Sequence, residues 1–108
     1  MKKVNVLSAD VIARITIVAL KSEKLMHARN RLELIEEKVA DGRLTGISEK
    51  HLFDVDRKLF HIEEETVLPL EYAVADMVQG LVSNELFEAI EEAMRGTKEL
   101  QEFLARFC

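Results

Sequence analysis

Two long segments with helical periodicity, roughly residues 8–41 and 48–81, flank a six-residue break at 42–47 that contains two glycines. Each segment would form a rod of about 50 Å at 1.5 Å per residue. Both rods carry charges along their whole length, so neither is expected to span a membrane. Because so short a connection brings two rods back against each other, the sequence predicts an antiparallel helical hairpin.

The first rod has one main apolar face. Ser8 is suited to cap its start, Asp10 places negative charge in the first turn, and Gly42 stands where a C-terminal cap is expected. The apolar residues follow at steps of three, four or seven, which places them in one band roughly 120° wide. The band consists of Val11, Ile15, Val18, Leu25, Leu32 and Val39.

The second rod has a wider apolar face. Its main stripe is accompanied by a second series at seven-residue spacing, so an element besides the first rod is expected to cover the phenylalanines. Pro69 removes a backbone donor and predicts a kink or break near 67–68, which would divide the rod into about 49–67 and 69–81. The stripe is Leu52, Val55, Leu59, Ile62, Leu70, Ala73, Met77 and Leu81, and the second series is Phe53, Phe60, Val67 and Val74.

Two shorter amphipathic helices are predicted near the C-terminus, and we expect them to cover the phenylalanines of the second rod. Ser83 and Thr97 are interpreted as their N-caps, and Gly96 as the end of the first. Four glycines and one proline are too few for the many turns of an all-β fold. The predicted fold is therefore all-α: a long antiparallel hairpin whose second helix is kinked or broken near Pro69, plus the two short helices. Residues 1–108 form one domain, a four- or five-helix bundle.

Charge and cysteine content limit the function classes. The formal net charge is −5, which makes nucleic-acid binding unlikely, because contacts to phosphates require clustered Lys and Arg. Arg29, Arg31, Arg43 and Arg57 alternate with carboxylates, so we interpret them as a solvated ion-pair surface. The only cysteine, Cys108, has no partner for an internal disulfide, and no targeting segment is evident. A cytoplasmic location is therefore expected.

One set of residues has the spacing of helical metal ligands. Glu23 and His27 are four residues apart, and His61 and Glu64 are three apart, as in carboxylate-bridged helical bundles. An antiparallel hairpin would bring the two pairs to one height. On a helical wheel, however, both histidines turn away from the partner helix. No metal or other cofactor is therefore predicted, and these four residues remain an alternative only.

The sequence contains no recognisable catalytic motif. The helix caps account for Ser8, Ser48, Ser83 and Thr97, and there is no nucleophile elbow or phosphate-binding glycine loop. The glutamate run 63–65 is typical of a solvated helix face. We predict no catalytic residue and no enzymatic activity.

The first rod carries more apolar surface than one helical layer covers. Such surface usually marks association, so the sequence favours a small protein–protein interaction module, a regulator, adaptor or chaperone, acting as a homodimer through this helix. Two alternatives remain open: a metal- or small-ligand-binding bundle, and a DNA-associated helical regulator. The partner is an unidentified protein, and no membrane partner is expected. The predicted partner surface is Ile12, Ala19, Leu20, Met26 and Leu34.

Overall fold

A computed structural model describes residues 7–107 of the chain. Five α-helices and one π-helical turn account for most of these residues, which include no strand. The all-α prediction is therefore confirmed, while Cys108 lies outside the described residues. The elements are α1 (Ala9–Ala40), α2 (Glu49–Ile62), the π turn (Glu63–Val67), α3 (Leu68–Val78), α4 (Asn84–Ala93) and α5 (Thr97–Phe107).

The hairpin forms where the sequence predicts it. The Ser8 hydroxyl accepts a hydrogen bond from the N–H of Val11, and α1 then continues for 32 residues without a break. Gly42 and Gly46 both have positive φ, at 76° and 87°, a backbone conformation that residues with a Cβ rarely adopt. The two glycines therefore allow the sharp reversal between α1 and α2. Ser48 caps α2 by accepting from the N–H of His51.

The predicted break near Pro69 takes the form of the π turn. A proline has no N–H, and in a regular α-helix its ring would press on the carbonyl of Glu65, four residues earlier. Here the helical turn instead contains one extra residue, so that the N–H of Leu68 donates to the carbonyl of Glu63. The helix α3 then starts with Pro69 in its first turn. The second rod is thus helical without interruption from residue 49 to 78, with the π turn between its two α-helical parts.

The interior divides into two apolar clusters along a molecule of 60 × 25 × 20 Å. The larger cluster lies at the end where α3, α4 and α5 pack around the first half of α1, and it includes the fully buried side chains of Ile15, Ile90 and Met94. The smaller cluster lies between α1 and α2, and it consists of Leu25, Leu32, Leu52, Leu59 and Val67. The far half of the hairpin is therefore a layer of only two helices.

One packing prediction is wrong. The short C-terminal helices were expected to cover the phenylalanines of the second rod, yet Phe53 and Phe60 are 60% and 52% exposed. Residues of α4 and α5 join the larger cluster only, around α1 and α3, and none of them joins the cluster between α1 and α2. Val67 and Val74, the other members of that seven-residue series, are buried.

Candidate functional site

A continuous concave surface lies between α1 and α2, on one side of the hairpin. It consists of two adjoining cavities of about 280 and 360 Å³, which share Ala28, Arg31 and Leu59. We call this surface the hairpin groove. It is lined by Lys21, Lys24, Leu25, Ala28, Arg31, Leu32 and Ile35 of α1, and by Ile47, His51, Leu52, Val55, Leu59, Ile62, Thr66 and Val67 of the second rod and its approach.

Helical periodicity explains why the groove is continuous. Neighbouring α1 residues that line it are separated by one, three, four or seven positions, which keeps them within about 120° on one side of the helix. The α2 residues that line it have the same spacing. The floor comes from the smaller apolar cluster, whose five buried residues all line the groove. Its flanks, such as Ile35 and Val55, are only half-buried, because no third helix lies over them.

The ionisable residues of the groove all have basic side chains: Lys21, Lys24, Arg31 and His51. Among residues 7–107, no carboxylate lines it, although the chain has 20 acidic residues against 15 Lys and Arg. None of the four forms an ion pair with a carboxylate of residues 7–107. The groove thus combines an apolar floor with a basic rim on an otherwise acidic protein.

The other side of the hairpin carries mixed charge. A cavity of about 410 Å³ opens there beside the π turn, where Arg29 Nη2 of α1 lies 2.7 Å from Glu63 Oε1. Burial raises the pKa of the Glu71 carboxyl in this cavity; the charge of Glu91 adds to the increase, and that of Arg95 opposes it. Both cations and anions line this side, in contrast to the hairpin groove.

The sequence matches no protein-family model, no curated protein and no solved structure. The function therefore has to be argued from this chain's own residues. Within residues 7–107, no helix has both the length and the apolar character needed to cross a membrane.

Glu23, one of the four alternative metal ligands, is engaged in a helix cap. Its carboxylate accepts hydrogen bonds from the backbone N–H and the hydroxyl of Thr97, at the start of α5. These hydrogen bonds lower the pKa of the Glu23 carboxyl, and the nearby His27 acts in the same direction. The Glu23 carboxylate therefore links α1 to α5 through hydrogen bonds.

The other three residues do not form a cluster with it, since only His27 lies near Glu23. His27 Nε2 lies 3.9 Å from Glu23, while His61 Nδ1 lies 3.7 Å from Glu65 rather than from Glu64. Within residues 7–107, no three His, Cys, Asp or Glu side chains come together as a metal would require.

The structure divides the predicted partner surface of α1 into buried and exposed residues. Ala19 is fully buried in the larger cluster and Ile12 packs half-buried against it, so neither presents a free apolar face. Leu20, Met26 and Leu34 are exposed.

Sequence reasoning missed the groove itself. The signal that could have found it is the stripe of Lys21, Lys24, Ala28, Arg31 and Ile35 along α1, in which cations and small or apolar residues alternate with no acid. We had assigned Arg31 to an ion-pair surface. That interpretation suits Arg29 and Arg43, which pair with Glu63 and Asp41, but Arg31 faces the groove.

Proposed function

We propose that this protein is a small, non-enzymatic protein–protein interaction module of the regulator, adaptor or chaperone type. The observation that carries the proposal is the uncovered hairpin groove: two helices form a single layer, and no third helix of the described part of the chain lies over the apolar floor between them. Helix pairs of this kind gain stability by burying such a surface against another helix.

A homodimer through α1 is the form of association that we propose. Leu20 and Leu34 are 52% and 55% exposed, they lie two heptads apart on α1, and neither lines the groove. Residues separated by two heptads stay on nearly one face of a helix, so both can contact the same partner helix. Two copies related by a two-fold axis would bury this face against itself.

Sedimentation velocity of the full chain over a wide concentration range tests the dimer. We expect a monomer–dimer equilibrium that Leu20→Glu together with Leu34→Glu shifts fully to monomer, with helical circular dichroism unchanged. Leu81→Glu is the matched control, because Leu81 is 65% exposed in the connection between α3 and α4. A chain that stays monomeric at every concentration would rule out the dimer, and loss of helicity in the double variant would show that these leucines stabilise the fold.

A further inference from the structure

We propose that the hairpin groove binds an acidic amphipathic helix of a partner protein. This inference rests on the proposed function, since it specifies which kind of helix the interaction module accepts. It concerns the groove and not the Leu20–Leu34 face, so the two surfaces can be tested separately.

The dimensions of the groove suit a helix. Its α1 wall runs from Lys21 to Ile35, which corresponds to about 21 Å at 1.5 Å per residue, or about four helical turns. Its two walls are helices in contact, and the surface between a pair of packed helices receives a third at an axis separation of about 8–10 Å. A bound helix would cover the half-buried Val55 and Ile35 and complete a three-helix bundle.

The basic side chains of the groove favour a partner helix that carries negatively charged side chains. Lys21, Lys24 and Arg31 are exposed and stand at helical spacing along the α1 wall. A partner helix with glutamates or aspartates at matching three-, four- and seven-residue spacing would place a carboxylate near each of them. Complementary charges of this kind contribute orientation and specificity more than total affinity, while like charges are rejected.

The same charges disfavour a second copy in this position. A two-fold contact between two hairpin grooves would set the basic rim of one copy, including Lys24 and Arg31, against the basic rim of the other, which is repulsive. A nucleic acid also fits the groove less well, because phosphates would satisfy the rim but leave the floor of Leu32, Leu52 and Leu59 without an apolar partner.

Fluorescence anisotropy with the full-length protein tests the inference. The probe is a labelled synthetic helix of about 18 residues, with leucines on one face and glutamates flanking them, and its matched isomer has lysine at each glutamate position. We expect the glutamate peptide to bind at least about tenfold more tightly than the lysine peptide, and its affinity to fall as salt is raised.

Charge reversal in the protein supplies the second arm. Lys24→Glu together with Arg31→Glu should lower the affinity for the glutamate peptide about tenfold or more and raise the affinity for the lysine peptide. The control Arg57→Glu with Lys98→Glu makes the same change in net charge at exposed positions outside the groove, and it should leave both affinities nearly unchanged. Circular dichroism of each variant checks the fold.

Three results would overturn the inference. Equal binding of the two peptides, insensitive to Lys24→Glu/Arg31→Glu, would mean that the groove accepts helices without charge selection, and the interaction module would stand. Binding of neither peptide would exclude the groove as a helix receptor, while sedimentation would still decide the homodimer independently. Tighter binding of a short DNA duplex, lost in the same variant, would identify the groove as a nucleic-acid surface.

Discussion

Thr97, at the start of α5, donates both its backbone N–H and its hydroxyl hydrogen to one carboxylate oxygen of Glu23, in the middle of α1. The N–H bond measures 2.9 Å between nitrogen and oxygen. The preceding residue, Gly96, has no side chain with which to cap the helix, and a Cβ at this buried position would lie 3.4 Å from the same Glu23 oxygen. A residue 74 positions away in the chain therefore provides the N-terminal cap of α5.

Removal of this cap should loosen α5 from α1. We expect Glu23→Ala to lower the Tm by several degrees, because an acceptor and a negative charge are lost at a helix N-terminus. Thr97→Val should have a smaller effect, since the backbone N–H remains. The double variant should be less destabilised than the sum of the two single variants, because both remove parts of one interaction. Thermal unfolding followed by circular dichroism measures all three, and strict additivity would contradict a direct bond.

The same cap should appear in the pH dependence of stability. The pKa of the Glu23 carboxyl is lowered in the folded protein, so its stabilising contribution is complete above the ordinary glutamate pKa and is lost as the pH falls through the lowered value. Glu23→Gln should therefore lower the Tm at neutral pH and have little effect in strong acid. A difference in Tm that stays constant down to the acid limit would contradict this assignment.

The cap also shows where sequence reasoning reached its limit. Ser8, Ser48 and Ser83 were identified as N-caps from local sequence, and each accepts a hydrogen bond from the third residue after it. Thr97 was given the same role wrongly, because it lies inside the first turn and its hydroxyl donates to Glu23. Capping by a nearby side chain leaves a local pattern, whereas capping across the fold depends on packing that no local pattern records.

The π turn also explains why the phenylalanines of the second rod are exposed, contrary to the packing predicted from the sequence. Val67 follows Leu59 by eight residues, whereas seven separate Leu52 from Leu59 and Val67 from Val74. The extra residue would rotate a regular α-helix by about 100°, but the π turn absorbs it. Val67 therefore joins the buried seam of Leu52 and Leu59, and the phenylalanines that share its seven-residue spacing stay exposed. The position of Pro69 could be read from the sequence, but not the type of break.

Deletion variants test this phase argument. In a Pro69→Ala background, deletion of the exposed Glu64 should convert the π turn into regular α-helix and keep Leu59 and Val67 on one face. We expect the fold to persist with stability near that of the background. In the same background, deletion of the exposed Lys58, in the regular helix between Leu52 and Leu59, should instead misalign the seam. We expect it to lower the free energy of unfolding by about 3 kcal/mol or more.

Urea unfolding of both deletion variants and of Pro69→Ala alone gives the comparison. Both deletions remove exposed polar residues, so loss of buried side-chain contacts does not separate them. Equal destabilisation by the two deletions would mean that the π turn does not set the register of the second rod.

The two apolar clusters should respond differently to truncation. Leu59→Ala removes a side chain that is 8% exposed at the open floor of the hairpin groove, whereas Ile90→Ala acts at 1% exposure inside the larger cluster. Large-to-small substitutions in cores cost about 2–5 kcal/mol, and more where a closed cavity is left behind. We expect Leu59→Ala near the lower end of that range and Ile90→Ala near the upper end, measured by urea unfolding. The reverse order would show that the hairpin seam is the better packed of the two clusters.

The ionised carboxylate of Glu71 should lower the free energy of unfolding at neutral pH, compared with a neutral side chain at the same position. Burial and the charge of Glu91 raise the pKa of the Glu71 carboxyl in the folded state. Its favourable contribution is therefore complete below the ordinary glutamate pKa and is lost as the pH rises through the raised value. Glu71→Gln mimics the protonated acid, so it should increase the free energy of unfolding at neutral pH and change it little in acid.

Urea unfolding of Glu71→Gln at both pH values measures that difference. Glu64→Gln is the matched control, because it makes the same chemical change at an exposed position on the π turn and should leave stability nearly constant. If Glu71→Gln destabilises the protein at neutral pH, the ionised carboxylate must be held by a favourable contact with a cation, and Arg95, whose charge lowers this pKa, becomes the residue to test.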